Sequence, residues 1–97
     1  MLDGKRATTH WAAVDSLAGL GATPVADERV VFDGKVVTAA GVSAGFDMAL
    51  TLAARLTDDD FAKALQLAIE HDPQPPFDAG SKDKAGDEIA ALVAEVF

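Results

Sequence analysis

Residues 36–50 read VVTAAGVSAGFDMAL, and the stretch changes character halfway along. Val36, Val37 and Thr38 are a β-branched run suited to a strand, whereas from Phe46 onward the apolar residues Phe46, Ala49, Leu50 and Ala53 recur at helical spacing. Between them lies Gly41-Val42-Ser43-Ala44-Gly45, a G-x-S-x-G pattern on a strand-to-helix turn, the context in which serine hydrolases place a nucleophile. Such a serine needs a following histidine with an acid between the two, and the only histidine after Ser43 is His71, at the end of an amphipathic segment. Ser43 therefore reads as the N-cap of the helix, with Asp47 in the first turn, rather than as a nucleophile.

Working outward, Asp33-Gly34 separates Arg29-Val30-Val31-Phe32 from Lys35-Val36-Val37-Thr38, and an Asp-Gly pair between β-rich runs predicts a hairpin. Upstream, residues 5–9 predict a strand. Residues 11–20 predict a helix with Trp11, Val14, Leu17 and Ala18 on one face, closed by Gly19 and Gly21. Downstream, Thr57-Asp58-Asp59-Asp60 resembles a capping box. Phe61, Ala64, Leu65, Ala68 and Ile69 then outline an amphipathic helix stopped by His71 and Asp72-Pro73. Pro73, Pro75 and Pro76 make residues 73–81 an extended arm, with Phe77 as its anchor. Ile89, Leu92, Val93, Val96 and Phe97 mark a last helix, and Trp11 and the phenylalanines are assigned to core packing.

The order is strand, helix, hairpin, two helices, arm, helix: an α/β pattern with too few strands to cover its own helices, hence part of a larger sheet. The 97 residues suffice for one domain at most. With 49% hydrophobic and 25% charged residues the composition is that of an ordinary globular protein. A net charge of -8 argues against nucleic acid and anionic membrane surfaces as partners. There is no cysteine, so the chain offers no disulfide, thiolate metal site or thiol nucleophile. No signal-peptide core or membrane-length apolar run is present, which makes the cytoplasm the expected compartment. Asp58, Asp59 and Asp60 suit the positive end of a helix dipole better than a metal site, and no metal is expected.

Three blocks carry a resemblance: LDGKRATTHWAAVDSLAGLGA, RVVFDGKVVTAAGVSAGFDMALTLAARL and KALQLAIEHDPQPPFDAGS. In this order and spacing, from Leu2 to Ser81, they resemble the C-terminal half of the ThiJ/PfpI superfamily, most closely its isonitrile hydratase branch. The resemblance implies a flavodoxin-like three-layer α/β/α sandwich related to class I glutamine amidotransferases, with residues 1–97 as the C-terminal part of one domain. It also implies a cysteine nucleophile on an elbow upstream of Leu2-Asp3-Gly4-Lys5-Arg6, in the nucleophile-bearing half that this chain lacks.

By that resemblance the parent enzyme is a lyase that hydrates an isonitrile to an N-substituted formamide, without metal or organic cofactor, and the chain alone is inactive. His10, at the C-terminal end of a strand where open α/β sheets bind ligands, is the catalytic candidate, assisting proton transfer beside the cysteine. Without that partner, a histidine hydrogen-bonded beside Trp11 is the plainer assignment. Thr9, Gly41, Val42 and Ser43 are the implied substrate-pocket residues. Other hydrolase activities of the superfamily (amidase, protease or deglycase type), a non-catalytic sensor domain and an inactive fragment stay open. A sensor of the kind fused to DNA-binding regulators would require a basic segment after the arm. Burial adds an expectation of its own: a small-molecule substrate aside, the partners are further copies of the chain or the missing N-terminal half.

Overall fold

The computed structural model describes residues 1–97. The chain runs β1 (Arg6–Ala7), a 3-10 helix (Val14–Leu20), β2 (Thr23–Pro24), β3 (Val30–Asp33), β4 (Val36–Ala39), α1 (Ala44–Leu56), α2 (Asp59–Ala68), α3 (Lys82–Ala85) and α4 (Asp87–Val96). None of these helices is long and apolar enough to cross a membrane.

The strand predicted over residues 5–9 is shorter than expected, and it has a partner that the sequence did not announce. β1 pairs with β2 in parallel, Arg6 opposite Thr23 and Ala7 opposite Pro24. Thr23 N–H donates to the Lys5 carbonyl at 2.7 Å and Val25 N–H to that of Ala7 at 2.9 Å. On the other side of β1 the Thr8 amide donates to the Thr38 hydroxyl at 3.0 Å. Side chains likewise join β1 to the hairpin, as Arg6 N–H donates to the Asp33 carboxylate at 2.8 Å.

The crossover between the parallel strands is a 3-10 helix rather than the predicted α-helix. Three residues per turn bring Val14 and Leu17 one above the other, and these two are its buried side chains. Gly21, at φ 82, closes the helix with its N–H directed to the Ala18 and Leu17 carbonyls. Its left-handed backbone angle is what calls for glycine here, while a Cβ would also meet the Asp3 carboxylate, a side chain that can move aside. Ala7, Val14, Leu17 and Ala22 form a small core, with Leu2 packed against it.

β3 and β4 form the expected antiparallel hairpin, from Val30 opposite Ala39 to Asp33 opposite Val36. Its two-residue loop is Gly34-Lys35, one residue later than the Asp-Gly pair suggested. Gly34, at φ 61, takes the first loop position, where a glycine with positive φ is favoured. Val31 is the one large side chain fully buried. α1 packs on α2 and lies along the hairpin. The cap between the helices differs from the predicted box: Asp58 accepts the Phe61 amide at 2.8 Å, while the Thr57 hydroxyl bonds back to the Ala53 carbonyl at 2.6 Å.

The phenylalanines do not form a core. Phe77, the predicted anchor, is 77% exposed and Phe97 is 97% exposed, while Phe46 and Phe61 are half exposed. The cause is the shape of the molecule, a plate of 41 × 38 × 18 Å with a radius of gyration of 15.2 Å, against about 12.5 Å for a compact chain of this length. Its accessible surface is 7234 Å² for 10.0 kDa, roughly 2,000 Å² more than a compact monomer of that mass shows. Phe61 and Leu67 of α2 and Ile89, Leu92 and Val96 of α4 stay exposed, although α2 packs on α1.

Candidate functional site

β1 delivers Thr8, Thr9 and His10 to its C-terminal end. Thr8 is buried, Thr9 half-buried and His10 exposed. The turn that follows fixes the imidazole, because Ala12 N–H donates to His10 Nδ1 at 3.1 Å and Ala13 N–H to the His10 carbonyl at 2.9 Å. With Nδ1 accepting, a neutral His10 carries its proton on Nε2, the nitrogen left free for a ligand. Trp11 lies beside the ring, centroids 5.4 Å apart. The intramolecular hydrogen bond comes from the backbone and not from the indole.

β4 delivers the second part of the site. After Ala39 the chain passes through residues 41–43 before entering α1, and a Cβ built on Gly41 would lie 3.5 Å from His10 Cδ2. His10 and the start of the glycine-bounded loop are therefore neighbours. The loop closes into the helix by successive turns, with Ala44, Gly45 and Phe46 amides donating to the Gly41, Val42 and Ser43 carbonyls at 3.0, 3.1 and 3.2 Å. The amides of Gly41, Val42 and Ser43 have no acceptor within the chain, at the positive end of a 13-residue helix. Val42 is 95% exposed.

Ser43 occupies the N-cap position but makes no side-chain cap hydrogen bond. Its backbone is already helical, φ -71 and ψ -21, which differs from the extended geometry a capping serine uses. The hydroxyl instead faces Arg29, whose Nη2 lies 3.5 Å away, while Arg29 Nε donates to Asp47 at 2.8 Å. Neither histidine is hydrogen-bonded to Ser43. His71 stacks on Phe46 with centroids 4.9 Å apart.

Of the five residues singled out from sequence, His10, Thr9 and Gly41 are brought together at one end of the strands, with Val42 and Ser43 continuing outward from Gly41. An open groove of about 920 Å³ also begins at His10 and Trp11, walled on its far side by Lys82, Ala90, Val93 and Phe97. Gly41, Val42 and Ser43 do not line it. No three His, Asp or Glu side chains are grouped so as to hold a metal ion. The residues that sequence reading missed are Arg29 and the Lys82–Phe97 wall. Arg29 gives no local signal, standing at the start of a strand eighteen positions from its partner Asp47.

Residues 1–55 match the DJ-1/PfpI family profile. The isonitrile hydratase of Pseudomonas putida is 56% identical over 85 residues, covering 88% of this chain and 37% of the hydratase. The crystal structure of a THiJ/PfpI family protein from Pseudomonas syringae superposes with a TM-score of 0.90 at 44% identity, over 98% of this chain and 39% of that one. The fold is thus α/β, of the flavodoxin-like, glutamine-amidotransferase-like class, and the chain spans little more than a third of the length of these relatives.

Proposed function

The chain belongs to the DJ-1/PfpI family, and on that premise we propose that it is the C-terminal part of an enzyme that hydrates an isonitrile to an N-substituted formamide. The observation that carries this reading is the 56% identity to an isonitrile hydratase, extending across 88% of the chain. The chain has no cysteine, so the nucleophile is assigned to residues outside these 97. A thiolate attacks the terminal carbon of R–N≡C, and that carbon takes a proton to give a thioimidate, R–N=CH–S. Water then adds to the same carbon, the nitrogen gains a proton, and the C–S bond breaks to release R–NH–CHO and the thiol. No external oxidant or cofactor is needed.

In this scheme His10 donates a proton to the substrate carbon or nitrogen through Nε2–H, the nitrogen that its Nδ1 contact leaves free. Thr9 and residues 41–43 line the substrate pocket, where unpaired amides of the loop can stabilise negative charge. Residues 1–97 act as one part of a domain whose remaining layer supplies the cysteine. Support for that division comes from the plate-like shape and the uncovered helices.

The test is reconstitution. The chain alone should give no formamide from an alkyl isonitrile, and co-expression with the upstream segment of the Pseudomonas putida isonitrile hydratase should restore turnover. In the restored complex His10→Ala should lower kcat/KM by about 10²-fold. An unchanged rate in that variant would remove His10 from the chemistry, while amide hydrolysis in place of isonitrile hydration would replace the substrate class.

A further inference from the structure

Both ends of the glycine-bounded loop are tied to one residue. The Arg29 carbonyl accepts the Ala40 amide at 2.8 Å, just before the loop. Its guanidinium donates from Nε to the Asp47 carboxylate at 2.8 Å, just after the loop, with Nη2 within 3.5 Å of the Ser43 hydroxyl. Gly41 and Gly45 flank the segment and contribute no side chain to brace it. Ser43 provides no cap bond of its own. The remaining side chain of the loop proper, Val42, is 95% exposed. Arg29 is thus the one side chain outside the loop and its helix that is hydrogen-bonded across this segment.

We infer that Arg29 is a positioning residue, which acts through Asp47 and Ser43 to hold residues 41–43 in register with His10. The Arg29–Asp47 pair is half exposed on both sides. Such a pair adds little to global stability, so its effect is expected in the geometry of the loop and not in whether the protein folds. The planar fork matters because it reaches two acceptors at once, which a single ammonium cannot do in the same geometry. A loop displaced by a fraction of an ångström misaligns donors that must meet charge developing in the transition state. The signature of losing Arg29 is therefore a fall in kcat with little change in KM.

This inference rests on the function proposed above, and the experiment separates the two. The chain, co-expressed with the upstream segment of the Pseudomonas putida isonitrile hydratase, is compared as wild type, Arg29→Gln, Arg29→Lys and Asp47→Asn. Hydrogen–deuterium exchange is followed for peptides covering residues 40–47, and kcat and KM for isonitrile hydration are measured on the same samples. Arg29→Gln and Asp47→Asn should each raise exchange in residues 40–47 by about tenfold, with exchange in α2 and in the crossover helix unchanged. The same two variants should lower kcat about tenfold with KM within about twofold, and Arg29→Lys should recover part of both losses. Unchanged loop exchange in Arg29→Gln, exchange raised evenly along the chain, or a loss confined to KM would each overturn the positioning role. Absence of hydration by the wild-type complex would overturn the proposed reaction instead, with loop exchange still deciding the role of Arg29.

Discussion

Residues 1–40 and residues 59–97 have comparable apolar patterning and opposite fates. In the first region Ala7, Thr8, Val14, Leu17, Ala22 and Val31 are buried, although β1 and β2 are two residues each. In the second, α2 and α4 carry apolar residues at regular helical spacing and Ala62 alone is buried. The difference does not lie in hydrophobicity. The first region folds around a crossover that returns the chain to its own strand, so each apolar residue meets another from the same segment. In the second region α2 packs on α1 and α3 on α4, and Phe61, Leu67, Leu92 and Val96 still stay at least half exposed. A helical stripe records that a face is to be buried, and says nothing about whether the burying surface belongs to the same segment. The surplus surface of roughly 2,000 Å² is as large as a stable protein–protein interface buries in total.

Substitutions can break this contrast. Val31→Asp puts an unpaired charge where a side chain is 2% exposed, and the expected cost is about 4 kcal/mol or more, enough to abolish a cooperative urea transition in the isolated chain. A retained transition would show that the first region is not the stable one. Asp58→Ala removes the cap on Phe61 N–H and should cost about 1 kcal/mol in the same urea titration, read from helical circular dichroism. Leu92→Asp, on a residue already 52% exposed, should change the isolated chain by less than about 0.5 kcal/mol. In the complex with an upstream segment the same substitution should weaken assembly, and if it does not, the α4 face is not where the partner sits.

Much of the local structure was legible because it is written in short-range chemistry. The hairpin follows from Asp33-Gly34 between β-branched runs, and α1 and α2 follow from apolar spacing. The one-residue shift of the turn to Gly34-Lys35 comes from the need for positive φ at the first loop position. What escaped depends on partners distant in sequence. β2 is two residues long and contains a proline, which no propensity marks as a strand. The crossover is a 3-10 helix, a distinction that the spacing of its buried pair Val14 and Leu17 does not make, since residues three apart share a face in either helix. Phe77, read from the sequence as the anchor of the arm, is instead 77% exposed. At the candidate site, the strand end and the glycine-bounded loop could be named from sequence. The closeness of His10 to Gly41 and the reach of Arg29 to Asp47 could not, since the first is set by how β1 lies beside the hairpin and the second by how α1 lies along it.

The most direct test of the central claim, that these residues are one part of a layered domain and need another to cover their helices, is sedimentation velocity at micromolar concentration. The isolated chain should sediment as self-associated species well above 10.0 kDa. Adding the upstream segment of the Pseudomonas putida isonitrile hydratase should collapse these into a single compact one-to-one complex. A compact 10.0 kDa monomer that unfolds cooperatively and ignores the added segment would contradict the account.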